Sequence, residues 1–143
     1  MIPRSVRNFN PGNINSGEPW QGLQPRDRMN PDQRTETRFA VFSSPEWGFG
    51  ALITLLRNYK RLYSLNTVAQ IIARWAPPNE NDTVAYKTAV ARECGVTPDQ
   101  VVDANDRSFM FHLAKAITRH ETGLWEPWWH DSDLNKGLDL AGY

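Results

Sequence analysis

The sequence predicts a mainly helical α+β domain with a small β-hairpin near its N-terminus. Three observations carry that expectation. After residue 43, capping residues precede segments in which apolar residues recur at three- and four-residue spacing. Residues 1–38 lack this period and are rich in Pro, Gly, Asn and Arg. The length, 143 residues at 40% hydrophobic content, suits one core. Residues 1–129 are expected to form that domain, and residues 130–143 a tail, docked or flexible.

The elements follow in order. Asn10-Pro11-Gly12-Asn13 is turn chemistry, since Pro presets φ and Gly tolerates positive φ. Trp20–Leu23 and Arg38–Phe42 have strand length and are paired as the hairpin. Ser43-Ser44-Pro45-Glu46 starts a helix with Leu52, Leu55, Leu56 and Tyr59 on one face. Thr67-Val68-Ala69-Gln70 is a capping box opening a short helix through Trp75, which Pro77-Pro78 must end. Asn81 or Asp82 caps a third helix to about Cys94, with Gly95 as its left-handed stop. Thr97-Pro98-Asp99-Gln100 starts a helix of one or two turns. Asn105 or Asp106 caps the last long helix, with Phe109, Leu113, Ala116, Ile117 and His120 on one face, ending at Gly123.

Composition narrows the function. Sixteen Lys plus Arg balance sixteen Asp plus Glu, which argues against a long-range electrostatic grip on nucleic acid or an anionic membrane. No apolar run is long enough for a membrane span. No apolar stretch follows the charges of the N-terminus, so no secretory signal is expected. The lone Cys94 excludes an internal disulfide framework and is read as a buried, inert thiol. His120-Glu121 resembles the start of a zinc-protease motif, but position 124 holds Leu124 where the second histidine belongs. No metal or cofactor is expected.

Glu121 is the informative carboxylate. It falls in the last turn of a predicted helix, where the partial negative charge of the helix end disfavours an ionised acid. A carboxylic acid that keeps its proton is what glycosidic bond cleavage asks of its general acid. On periodicity alone, a solvated residue paired with Arg119 or Arg92 is the simpler reading. Six tryptophans are many for this length. Trp47 and Trp75 fall on helix faces and read as core. Trp20, Trp125, Trp128 and Trp129 fall in or after turns, three of them just past Glu121, where flat indoles could stack on sugar rings. Asn10, Asn13, Gln21, Asn79 and Asn81 could bond sugar hydroxyls or acetamido groups, though each also has a turn or cap role.

Several stretches resemble a family of small phage and prophage proteins described as virion structural proteins or lysozyme-like lytic transglycosylases. They are Arg7–Ile14, Trp20-Gln21-Gly22, Arg38–Gly48, Arg74–Thr83 with Tyr86, and Arg119–Gly123, together spanning roughly residues 4–123. The Trp-Ala-Pro-Pro-Asn-Glu-Asn-Asp block is the most specific. The chain is also similar to bacterial cell-wall glucosaminidases of the lysozyme superfamily. There the Glu helix comes first; here it comes last, as in a circular permutation. Phe9 stands where that family has its second Asn, and Thr122 where its His-Glu-Asn-Gly has Asn.

The resemblance implies a lysozyme-like domain that cleaves the β-1,4 glycan strands of bacterial peptidoglycan, and it reverses the preference at Glu121. Glu121 would be the general acid, with Asn10, Asn13, Trp20, Gln21, Trp75, Asn81, Tyr86, Trp125 and Trp128 at the substrate. One Glu suits a lytic transglycosylase, in which the substrate's own 6-hydroxyl closes onto the anomeric carbon. A hydrolytic muramidase would want a second carboxylate; Glu46 is the best candidate in the joined segment but is better explained as a helix N-terminal residue. Such a protein would sit in a virion, or in the host cytoplasm before release, and act at the periplasmic wall. Its partners would be glycan strands and other virion proteins. The rival expectations are a non-catalytic virion component that kept the fold, and a glycan- or protein-binding module using the C-terminal tryptophans.

Overall fold

In the computed structural model of the chain, residues 1–76 and 82–143 are described. The Pro77-Pro78 stop, Asn79 and Asn81 lie outside the described residues. Among the described residues, six α-helices, with two single-turn 3-10 helices at Arg26–Arg28 and Gln33–Thr35, make up the regular structure: α1 (Arg4–Arg7), α2 (Pro45–Tyr63), α3 (Val68–Trp75), α4 (Thr83–Glu93), α5 (Arg107–Thr122) and α6 (Asp131–Leu140).

Local chemistry sets the helix ends. Pro45 opens α2 where its missing N–H costs nothing, and Ser64 closes it in the left-handed region at φ 56°. The Thr67 hydroxyl accepts from the Gln70 N–H at 3.1 Å and starts α3. Asp82 caps α4 through the Ala85 N–H, and Asp106 caps α5 through those of Ser108 and Phe109. Gly123, at φ 98°, stops α5. The segment after Thr97 makes a single turn, with the Gln100 N–H on the Thr97 carbonyl, instead of the expected short helix.

The core lies between α2, α5 and α6. Phe49, Leu52 and Ile53 of α2, Leu113 and Ile117 of α5, and Leu134 and Leu138 of α6 are fully buried. Helix α6 approaches α2 through Gly137, where a Cβ would lie 2.5 Å from the Phe49 Cβ. Arg107 of α5 donates to the carbonyls of Asn135 and Tyr143, so residues 130–143 are docked against the core. No described helix is long and apolar enough to cross a membrane.

The α+β class is corrected. Among the described residues there are three isolated β-bridges and no sheet, so the lysozyme-like arrangement with an N-terminal hairpin is not the one formed. Phe39 and Phe42 each make one bridge, but the backbone bonds of residues 38–43 are divided among several segments. The Ala40 N–H goes to Ile14, the Phe42 N–H to Asn8, and the Ser43 N–H to Gly22, while Arg38 and Val41 accept from Ser16 and Gln24. Pro19 and Pro25 flank the other proposed strand and lack the N–H a ladder requires.

One buried carboxylate holds this irregular region together. Glu36, its side chain 3% exposed, accepts from Arg4, Arg7 and Asn8 and from the backbone N–H groups of Thr37, Arg38 and Phe39. The Arg4 guanidinium, then the Phe39 and Arg38 amides and Asn8, outweigh burial and hold its carboxyl well below the usual carboxylate range. A depressed folded-state pKa stabilises the fold above the unfolded value of about 4.3 and loses that contribution as pH falls below it. Thermal unfolding between pH 7 and 2 is therefore expected to show a midpoint falling below about pH 4. Glu36→Gln should lower the neutral-pH midpoint and flatten the acid decline.

Candidate functional site

Glu121 occupies the last turn of α5, half-buried, on a cleft of about 990 Å³. The α5 face behind it, with Leu113 and Ile117 fully buried, fixes where that turn ends. The ion pair expected with Arg119 does not form, because Arg119 pairs with Glu93 of α4. Among the described residues no cation lies within ion-pair distance of Glu121.

Its partner is Tyr86. The Tyr86 hydroxyl donates to Glu121 Oε2 at 3.0 Å, and Trp75 Nε1 donates to the Tyr86 oxygen at 3.0 Å. The polarity is forced. An indole N–H can only donate, so the phenol oxygen accepts it and the phenol proton points at Glu121. Tyr86 is completely buried, and its ring stacks on His120 at 3.6 Å. Burial first, and the facing Glu121 carboxylate second, push the phenol far above its ordinary pKa, so it remains a donor. Three elements therefore meet at one carboxylate: the end of α3, the start of α4 and the end of α5.

The cleft places the other candidates. Asn13 lines it from a left-handed turn at φ 49°, and its Oδ1 is buried with no partner. Trp20 lines it too, its Nε1 likewise buried without a partner. Trp75 forms part of the wall, its ring against Gly12, where a Cβ would lie 3.0 Å away. Tyr86 reaches the site only through Glu121. Gln21 lies on a different, smaller cavity with Trp47.

Asn10 is corrected from contact to brace. It is fully buried, its amide donates to the carbonyls of Ile14 and Ala40, and its Oδ1 accepts from the Ile14 N–H. Nothing is left for a ligand. Trp125 is corrected as well, and Trp128, half-buried, does not line this cleft. Trp125 and Trp129 pack on Phe49 at 5.8 and 5.4 Å between ring centres, and Trp128 packs against the same core. The Thr122 hydroxyl beside Glu121 is spent on Ser5 at 2.7 Å and on Trp129 Nε1 at 3.1 Å. Indoles that follow Glu121 in sequence thus lock the helix end, and indoles from elsewhere line the cleft.

Among the lining residues that sequence reasoning missed are Glu18, Arg38, Tyr59 and Arg74. Glu18 is a second carboxylate on the cleft, supplied by a loop with no periodic signal. Glu46 stays in the first turn of α2. Burial, and then Glu93, push the Cys94 thiol up to about 12, leaving it unreactive. No group of three metal-ligating side chains occurs among the described residues.

No family model matches the chain. It is 33% identical over 144 residues to Protein P5 of Pseudoalteromonas phage PM2, an alignment covering 98% of this chain and 82% of that protein. The chain belongs to the P5 family. Near full coverage puts both the N-terminal loops and α6 inside the shared region, so the cleft and the helix that closes the core belong to one P5-type unit.

Proposed function

We propose that this P5-family protein cleaves the β-1,4 glycan strand of bacterial peptidoglycan for a phage, with Glu121 as the proton-transferring group. The observation that carries the reading is a carboxylate with no cation partner among the described residues, on a large cleft and held there by a buried Tyr–Trp relay. Tyr86 occupies Oε2 as an acceptor. The acid proton therefore belongs on Oε1, which has no partner among the described residues. From there Glu121 protonates the departing glycosidic oxygen and afterwards takes a proton back. The orphaned Asn13 oxygen and Trp20 N–H supply one acceptor and one donor for sugar hydroxyls or amides, and the Trp20 and Trp75 rings supply apolar faces.

Turbidity of purified peptidoglycan tests this directly. Wild-type protein should clear it, and Glu121→Gln should not at equal folded stability. A wild type that clears nothing sinks the reading and favours a non-catalytic phage component. Product masses then separate the mechanisms. Anhydro ends mean the 6-hydroxyl attacked; reducing ends mean water did, with Glu18 the carboxylate to test next.

A further inference from the structure

Arg74, at the last turn of α3, lines the Glu121 cleft and also a neighbouring cavity of about 550 Å³ formed with Leu62 and Tyr63 of α2. The two cavities share Leu55, Tyr59 and Arg74, so they adjoin along one groove-like face. The Arg74 guanidinium stacks on the Tyr63 ring at 3.7 Å and lies 5.6 Å from the Tyr59 ring centre. No carboxylate among the described residues pairs with it. Stacking on an aromatic face fixes the plane of a guanidinium while leaving its N–H edge free, which suits bidentate capture of an anion. Beside it, Leu62 is 69% and Tyr63 48% exposed, an apolar shelf at the groove's outer end.

We propose that this outer lobe binds a carboxylate of the peptide stems carried on the glycan, with Arg74 as the anion-binding residue. The assignment rests on the peptidoglycan reading and deepens it. The glycan strand contributes neutral sugars to the cleft, so a cation with no carboxylate partner among the described residues, further along the groove, calls for the polymer's anionic substituent. An apolar shelf next to the cation fits a short peptide better than a phosphate-rich polymer.

The test is co-sedimentation with purified sacculi, using Glu121→Gln protein so that the polymer stays intact. Native sacculi are compared with sacculi whose carboxylates have been converted to neutral methylamides by carbodiimide and methylamine, a treatment that leaves phosphates charged. Amidation should weaken binding about fivefold, the scale of one partly exposed charge pair. Glu121→Gln/Arg74→Gln should bind native sacculi at that weakened level and show no further loss on amidated ones. Undiminished binding of the double variant to native sacculi overturns the assignment. So does an equal loss on both substrates, which would make Arg74 structural, and so does a parent protein indifferent to amidation, which would point to phosphate. If the wild type clears nothing but the amidation pattern is as expected, the catalytic reading fails and the anion lobe stands.

Discussion

Gly48→Ala is expected to destabilise the fold by about 3 kcal/mol or more, the upper range for overpacking, and to leave little folded protein near 37 °C. A Cβ at position 48 would lie 2.0 Å from the Phe9 carbonyl oxygen and 2.7 Å from Pro11 Cδ. The first obstacle is backbone and cannot rotate away. Nor can Phe9 yield cheaply, since it already sits in the left-handed region at φ 49° and is followed by the fully buried Asn10. The N-terminal turn rides on α2 at this point, and Gly12 and Asn13 of the cleft hang from it. Gly50→Ala, two residues on, gives the contrast. Its Cβ would meet nothing closer than 3.6 Å, and removing a helical glycine is worth up to about 1 kcal/mol. Chemical denaturation of the two variants should move in opposite directions. Equal midpoints would mean that the Phe9–Gly48 contact is not what seats the N-terminal segment.

Helix ends were readable wherever one side chain decides them. Thr67, Asp82 and Asp106 each cap the helix that follows, and Gly123 stops α5, because a cap is a local bond between near neighbours. Helix α6 was not readable. It offers Leu134 and Leu138 as its buried apolar pair, and what holds it is the glycine-mediated approach to α2, which involves residues more than eighty positions away. The hairpin failed for a related reason. A short apolar run such as Phe39–Phe42 has the length of a strand but does not name its partner, and here the backbone partners come from several separate segments. Backbone pairing distributed over distant segments leaves no local pattern to read.

The site was legible to the same extent. Glu121 could be singled out because an acid at a helix C-terminus breaks a local electrostatic preference. The tryptophans could not be sorted, since proximity in sequence to Glu121 is the wrong measure. Helix α5 ends at Gly123 and the chain turns back, sending Trp125 and Trp129 onto Phe49. Trp75, on a helix face and so read as core, has the ring edge that reaches Tyr86. Glu18 carries no motif, Arg74 stands in a quoted block without a role of its own, and both become visible only once α3 and the loop after Asn13 bound the same space.

Glu121→Gln is expected to lower glycan cleavage by about 10²- to 10⁴-fold, the range for loss of a positioned general acid. The fold should survive, because a glutamine carbonyl can still accept the Tyr86 hydroxyl and none of the ion pairs among the described residues involves Glu121. The variant keeps the shape of the acid and cannot deliver its proton, so binding to sacculi should persist while clearing stops. Tyr86→Phe makes the complementary change. It removes the donor that reserves Oε2 and leaves the Trp75 N–H without its acceptor, a buried loss of about 1–3 kcal/mol in stability. Glu121 itself remains, so clearing per folded molecule should fall, by a smaller factor than in Glu121→Gln. A purely structural Tyr86 would lower the amount of folded protein and leave clearing per folded molecule unchanged. Measuring clearing at matched concentrations of folded protein separates the two cases. Undiminished clearing per folded molecule of Tyr86→Phe would remove the relay from the proposed mechanism and leave Glu121 to act alone.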